Sequence, residues 1–294
     1  MIVLLGSASD PQVDAIAQQL VQMRADHVIW DSGKFPQTQQ MSYFPLEGQL
    51  KCRIGENELS TSDVHSLYWR SFQTPGTAEK NHLARRDAES LVFSFLNLLG
   101  DRAVNSFDAI RFHREKPRQL AAVAAIGITI PETYVGNDAD AVRTFCASHQ
   151  HCIFKPVTGG DYATSVGPGH LSDEHLNRSL SQSPITLQRF VRGTNVRSYV
   201  IGDSLYSAEI RSSLDDFRLD PNSEIKPIEL PDDIANQARL ARQHLGLSWT
   251  AIDWRRDEEG KYFFLEANPS PMFVNFERRT GYPLSARLAS LLVH

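Results

Sequence analysis

Near the C-terminal end, Lys261 to Phe273 reads KYFFLEANPSPMF, and its acidic and amide residues fall at a spacing suited to metal chemistry. Tyr262 to Leu265 form an apolar run into Glu266, and Asn268 follows two positions later. Side chains alternate along a strand, so Glu266 and Asn268 share a face. Upstream, Ser248 to Trp254 (SWTAIDW) reads as a second strand, separated from the first by the charged turn Arg255 to Gly260. Pairing across a tight turn near Glu259-Gly260 puts Asp253 on the face of Glu266. Two carboxylates and a carboxamide at a hairpin end are the oxygen donors a hard cation such as magnesium takes, with waters and phosphates completing the shell. The same residues are also compatible with a solvated strand end.

A second chemical signal is Lys155 in the apolar strand Ile153-Phe154-Lys155-Pro156. A lysine there needs an anion nearby, unless its stem carries the charge outward. A small-residue loop, Thr158 to Gly169, follows at once. Gly159 and Gly160 permit close backbone approach, and free N–H groups in such a loop can cradle phosphate oxygens. Gln188-Arg189-Phe190-Val191 fits either an ordinary core strand or a hinge between two lobes. Arg197 and Arg211 alternate with apolar residues on neighbouring strands, and guanidinium groups suit bidentate contact with phosphate or carboxylate. That spacing is equally compatible with two exposed arginines. Cys146, His149, His151 and Cys152 lie too close together for four zinc ligands to converge, and no matching second half exists. No serine elbow or cysteine nucleophile stands out.

The elements that must position these groups follow from pattern. Ile2 to Leu5 is a strand; Asp10 and Pro11 open a helix to about Arg24. Val28 to Asp31, Phe44 to Ile54, Glu58-Leu59 and Val64 to Arg70 read as strands, and Glu79 to Leu99 as a long helix. An Ala-rich helix begins near Glu115-Lys116-Pro117 and stops at Gly127. Helices over Ala139 to Ser148 and Asp173 to Leu180 alternate with strands Cys152 to Pro156 and Ile185 to Val191. Strands Arg197 to Ile201 and Leu205 to Arg211 follow. Then comes a helix with Ile234, Ala238, Ala241 and Leu245 on one side. Pro283 to Val293 is the last helix.

Composition limits the alternatives. The chain has 294 residues, 41% hydrophobic and 22% charged, which predicts a globular protein of about two or three lobes. A formal net charge of −5 gives no support to a nucleic-acid partner. No apolar run approaches the roughly 20 residues that span a bilayer. The start MIVLLGSASD lacks a basic n-region and reads as a strand, not a signal peptide. Three cysteines form no disulfide framework, and the expectation is a cytoplasmic enzyme.

Taken in order from about Lys116, these features resemble the ATP-grasp superfamily. Lys116, with Arg118 to Ala125 and Gly127 to Thr133, resembles the segment preceding the grasp. Lys155 matches the strand lysine on the nucleotide phosphates, Gly159 to Gly169 the glycine loop, and Gln188 to Val191 the adenine hinge. Arg192 to Arg197 matches a Gly-x-Asp-Ile/Val-Arg pattern with Asn195 in place of the acid. Asp253, Glu266 and Asn268 match the metal ligands. Within the superfamily the chain is similar to the microviridin and graspetide maturases, which macrocyclise ribosomally made peptides. That similarity rests on Tyr68-Trp69-Arg70, on Leu214 to Arg218 after Ala208 to Arg211, and on Asn275-Phe276-Glu277 with Thr280 to Pro283. Ser270 to Phe273 departs from their Gly-Gln-Trp-like continuation.

The resemblance implies an α/β ATP-grasp fold with ATP held between two sheet-containing lobes. An N-terminal pre-ATP-grasp domain would cover 1–115, a central lobe with the glycine loop 116–187, and a C-terminal lobe with the metal site 188–294. It implies an ADP-forming ligase that uses ATP and Mg2+, or Mn2+ in its place. Lys116, Lys155, Gly159, Gly160, Gln188, Arg189, Phe190, Val191 and Asn195 would bind the nucleotide. Arg197 and Arg211 would stabilise the reacting acyl group, and Asp216 and Arg218 would bind substrate. The partner would be a precursor peptide joined through side-chain amides or esters, with a homodimer as the expected assembly. The alternative is a RimK-like or glutathione-synthase-like ligase that joins an amino acid or other small amine to a carboxylate.

Overall fold

The computed structural model describes residues 1–74, 82–159, 163–212 and 223–294. The N-terminal part runs β1 (Ile2–Leu5), α1 (Pro11–Gln22), β2 (His27–Trp30), β3 (Gln40–Phe44), β4 (Gln49–Ile54), β5 (Asn57–Ser60), β6 (Ser66–Trp69), α2 (His82–Leu99) and β7 (Ala103–Val104). Asp10 caps α1 by accepting the Gln12 N–H at 2.8 Å, and Pro11 takes the first turn where its missing N–H costs nothing. The fully apolar β1 lies inside a parallel sheet of order β2-β1-β6-β7, as a strand buried on both faces should. The strands β3, β4 and β5 form a separate antiparallel meander.

Two helices, α3 (Phe107–Arg114) and α4 (Lys116–Ala125), lead into β8 (Thr133–Gly136), α5 (Ala139–Ala147), β9 (Cys152–Pro156), β10 (Thr164–Ser165), α6 (Asp173–Leu180) and β11 (Ile185–Arg189). The strands pair antiparallel in the order β10-β9-β11-β8. One face of this sheet carries Leu187 against Val142, Leu176 and Leu180 of the two helices, a small core. The other face carries Thr133, Ile153, Lys155 and Gln188, since directly opposed residues point the same way.

The last part contains β12 (Thr194–Ile201), β13 (Ser204–Arg211), β14 (Glu224–Ile228), α7 (Asp232–His244), β15 (Trp249–Arg256), β16 (Tyr262–Asn268), α8 (Val274–Thr280) and α9 (Leu284–Val293). Its antiparallel sheet has the order β14-β13-β12-β15-β16. One face, with Val196, Val200, Ile252, Trp254, Phe264 and Ala267, packs on α4 and α7. The opposite face packs Tyr199, Ala208 and Ala251 into a core shared with β1, α1, α8 and α9. Farther along the strands that face turns polar, and there it carries the candidate site. Neither β14 nor α8 is read from the sequence, because both are short and without a clear apolar period. Among the described residues, no helix is long and apolar enough to cross a membrane.

Candidate active site

The register of the β15–β16 hairpin decides the site. Next to the turn, Trp254 pairs with Phe264; beyond it, Asp253 pairs with Glu266 and Ala251 with Asn268. The pairing skips Leu265, a β-bulge. Unbroken pairing would set Leu265 opposite Asp253 and turn Glu266 to the apolar face. With the bulge, Asp253, Glu266 and Asn268 share one face, as the sequence predicts.

Each carboxylate has a cation against it. Arg197 lies directly opposite Asp253 and donates from Nε and Nη2 at 2.6 and 2.7 Å. Lys116 reaches from the start of α4 to the Glu266 carboxylate. Burial opposes ionisation of Glu266, but Lys116 overrides it, with Lys155 adding to the effect, and holds the carboxyl down at about 2. Lys116 also donates to Nε2 of His113 at 3.1 Å. His113 Nδ1 donates to the Ala267 carbonyl at 2.9 Å, which fixes the neutral tautomer. Burial and the neighbouring Lys116 push the His113 pKa down to about 4, so the imidazole stays uncharged at neutral pH.

The central sheet faces this cluster. Lys155 donates to Gln188 Oε1 at 3.3 Å, and Gln188 donates in turn to Thr133 Oγ1 at 2.9 Å. Gly159 closes the approach: its backbone has φ +78°, and a Cβ there would stand 3.3 Å from Cε of Lys116. Where β11 ends and leads to β12, Arg189 N–H donates to Glu132 O and Phe190 N–H to His151 O, both at 2.9 Å. Val191, which follows, is buried, and its N–H donates to no described residue. Arg255 supports this corner by donating to Val191 O at 2.8 Å and to Asn195 Oδ1 at 2.9 Å, and it stacks on Phe190. Asn195 therefore holds Arg255 against the β11–β12 connection.

Arg211 is a correction. Arg197 pairs with Ala208, so alternation puts Arg211 on the other face of the sheet. There it binds the buried Glu209 at 2.5 Å alongside Arg256, and more than half of its side chain is exposed. The two arginines do not converge. Gly160, Asp216 and Arg218 lie outside the described residues. Pattern reading missed His113, Gln119, Asn105 and Arg255. The cue for the first two is their three-residue spacing around Lys116; Asn105 and Arg255 carry no local cue.

The donor set suits a hard divalent cation. Asp253, Glu266 and Asn268 offer only oxygen, and the cations already facing both carboxylates show that this face compensates concentrated negative charge. Among the described residues, no group of three or more His, Cys, Asp or Glu forms a metal cage. Asn268 Oδ1 accepts the Ser270 N–H at 2.9 Å, which orients the amide.

A sheet-borne lysine beside a glycine turn, with an acidic hairpin facing them, is the arrangement of the ATP-grasp fold, and the chain has that fold. No family model matches it. It is similar in structure to the ATP-grasp ligase PsnB, solved with a phosphomimetic variant of its minimal precursor, Mg and ADP. The TM-score is 0.86 at 28% identity, over 99% of this chain and 97% of that one. In sequence it is similar to beta-citrylglutamate synthase B of Danio rerio, 25% identical over 262 residues, covering 84% of this chain and 62% of the relative. It is also similar to a probable alpha-L-glutamate ligase of Haemophilus ducreyi, 25% identical over 200 residues and 65% of each chain. The chain thus spans just under two thirds of the length of these curated relatives.

Proposed function

We propose that this chain is an ADP-forming ligase that activates a peptide carboxylate as an acyl phosphate and passes it to an amine or hydroxyl. The observation that carries this reading is the paired charge at one face: Arg197 with Asp253, and Lys116 with Glu266 beside Gly159. Such pairs serve a triphosphate and its metal together, since phosphate takes the cations as the metal takes the carboxylates. Asp253, Glu266 and Asn268 would hold Mg2+, which supplies charge neutralisation at the phosphates. Lys116 and Lys155 orient the phosphates, and the Val191 N–H and neighbouring hinge backbone read the adenine edge.

A substrate carboxylate oxygen attacks the γ-phosphorus, and the bond to ADP breaks. The amine or hydroxyl then attacks the acyl carbon, the C–O bond to phosphate breaks, and the nucleophile's proton is released. Arg197 stabilises the negative charge that develops in both steps. The peptide substrate is supported by similarity along the whole length to PsnB, whose structure holds a precursor. The curated relatives support a second reading, ligation of a free amino acid to a small carboxylate. The domain limits at about residues 115 and 187 and a cytoplasmic setting belong to the same proposal.

The test is turnover of ATP with Mg2+ against acidic peptides and against free amino acids, with product nucleotide and substrate mass recorded. ADP formed with a peptide that loses the mass of water supports intramolecular ligation. ADP formed with a free amino acid and a gain in product mass supports the second reading. AMP as product overturns the acyl-phosphate route.

A further inference from the structure

β16 is the outer strand of its sheet, and an outer strand presents a row of N–H and C=O groups to whatever lies beside it. Here α4 and the residues on either side of it read that row. Phe264 N–H donates to Thr129 O at 2.8 Å. Ala267 N–H donates to Gln119 Oε1 and Ala267 O accepts from Gln119 Nε2, both at 2.9 Å. The same carbonyl takes the His113 Nδ1 hydrogen bond at 2.9 Å. In a regular strand, residues whose backbone groups face one edge are separated by an even number of positions. Phe264 and Ala267 are three apart, so both face outward only because one extra residue, Leu265, lies between them.

We propose that Gln119 is a positioning residue that holds β16 one step out of its hairpin register and so keeps Glu266 and Asn268 on the face of Asp253. Ala267 is the residue between those two, and Gln119, itself 2% exposed, grips both of its peptide groups. A one-residue slip turns every later side chain to the opposite face. Without the amide, regular pairing competes, with Glu266 directed toward the apolar layer of Trp254 and Phe264. The inference rests on the reading of Asp253, Glu266 and Asn268 as metal ligands.

The experiment is Mn2+ binding to the full chain in the presence of ADP, followed by electron paramagnetic resonance. It compares wild type, Gln119→Met, Gln119→Glu and Leu120→Ala, with metal-free ADP binding and Tm measured alongside. Gln119→Met is expected to weaken Mn2+ binding about 10- to 100-fold, as loss of a partner behind metal ligands does, with metal-free ADP affinity unchanged. Gln119→Glu keeps the acceptor for the Ala267 N–H and loses the donor to its carbonyl, so it falls between the two. It also carries the test if the methionine variant does not fold. Leu120→Ala removes buried apolar contact from the same helix, lowers Tm and retains Mn2+ affinity. Wild-type Mn2+ affinity in folded Gln119→Met, or equal losses in Leu120→Ala, would overturn the positioning role alone. Wild-type protein that binds no Mn2+ with ADP would overturn the proposed metal site, and the positioning role with it.

Discussion

Lys116 binds Glu266 and His113 and lies beside Gly159, so one ammonium balances the charge of the hairpin next to that glycine. Lys116→Met would remove the proposed phosphate contact and the ion pair to Glu266. Turnover should fall about 100-fold or more, on the scale of losing one donor to a reacting oxyanion. A fall of less than a few-fold in a steady-state assay of ADP release would place the phosphates elsewhere. Arg211 gives the opposite expectation. Its partner Glu209 is buried on the far side of the sheet, so Arg211→Ala should leave kcat/KM close to wild type. Glu209 also gives a pH dependence. Burial raises its carboxyl, but Arg211 and Arg256 overcome this and hold it below the ordinary range. A carboxyl depressed in the folded state stabilises above its unfolded pKa of about 4.3, and that stability is lost as pH falls below it. Glu209→Gln should therefore lower Tm at pH 7, and the gap from wild type should narrow as the pH falls below about 4.

Among the elements, the hairpin and the strand beside it carry the tightest constraints. Gly193 precedes β12 with φ +138°, and a Cβ there would stand 2.0 Å from the Arg256 carbonyl oxygen. That neighbour is backbone and cannot rotate away. Gly193→Ala should cost roughly 3 kcal/mol or more in chemical denaturation, at the upper end for overpacking. Asn105 ties β7 to the hairpin with all four of its hydrogen-bonding positions. Its amide donates to Trp249 O at 2.8 Å and Pro269 O at 2.7 Å, and its oxygen accepts from Ser248 N at 2.6 Å and Trp249 N at 3.2 Å. Asn105→Ala strands several buried backbone groups at once and should cost about 3 kcal/mol, at the high end for unmet buried partners. Because Pro269 follows Asn268 directly, the same variant should also lower turnover by more than its loss of Tm explains. Turnover that simply tracks the folded fraction would limit Asn105 to stability.

For the whole molecule, the cores predict which parts open together. One joins Ile2, Leu4, Val13 and Leu20 to Phe273, Phe276, Leu284, Leu288 and Leu292, so early and late segments of the chain share one interior. A fragment starting at residue 116 loses Ile2, Leu4, Val13, Ile16, Leu20, Tyr68 and Val104 from that interior and should not fold alone, as circular dichroism and proteolysis would show. The β10-β9-β11-β8 sheet has a small core around Val142, Leu176, Leu180 and Leu187. Its amides should exchange with solvent fastest among the sheets and slow when ADP and Mg2+ are added. The element order was legible in the sequence because strands, helices and caps follow from neighbouring residues. Asp10 before Pro11, Lys155 within its apolar strand, and the alternation of Glu266 with Asn268 are examples. The sequence by itself determined which residues are the candidates for phosphate and metal contact. Only the tertiary structure decided that Arg197 reaches Asp253, that Arg211 faces away, and that Leu265 bulges so both carboxylates meet. Those outcomes depend on register, and register is set here by contacts such as Gln119 with Ala267, 148 positions apart, where no local pattern reaches.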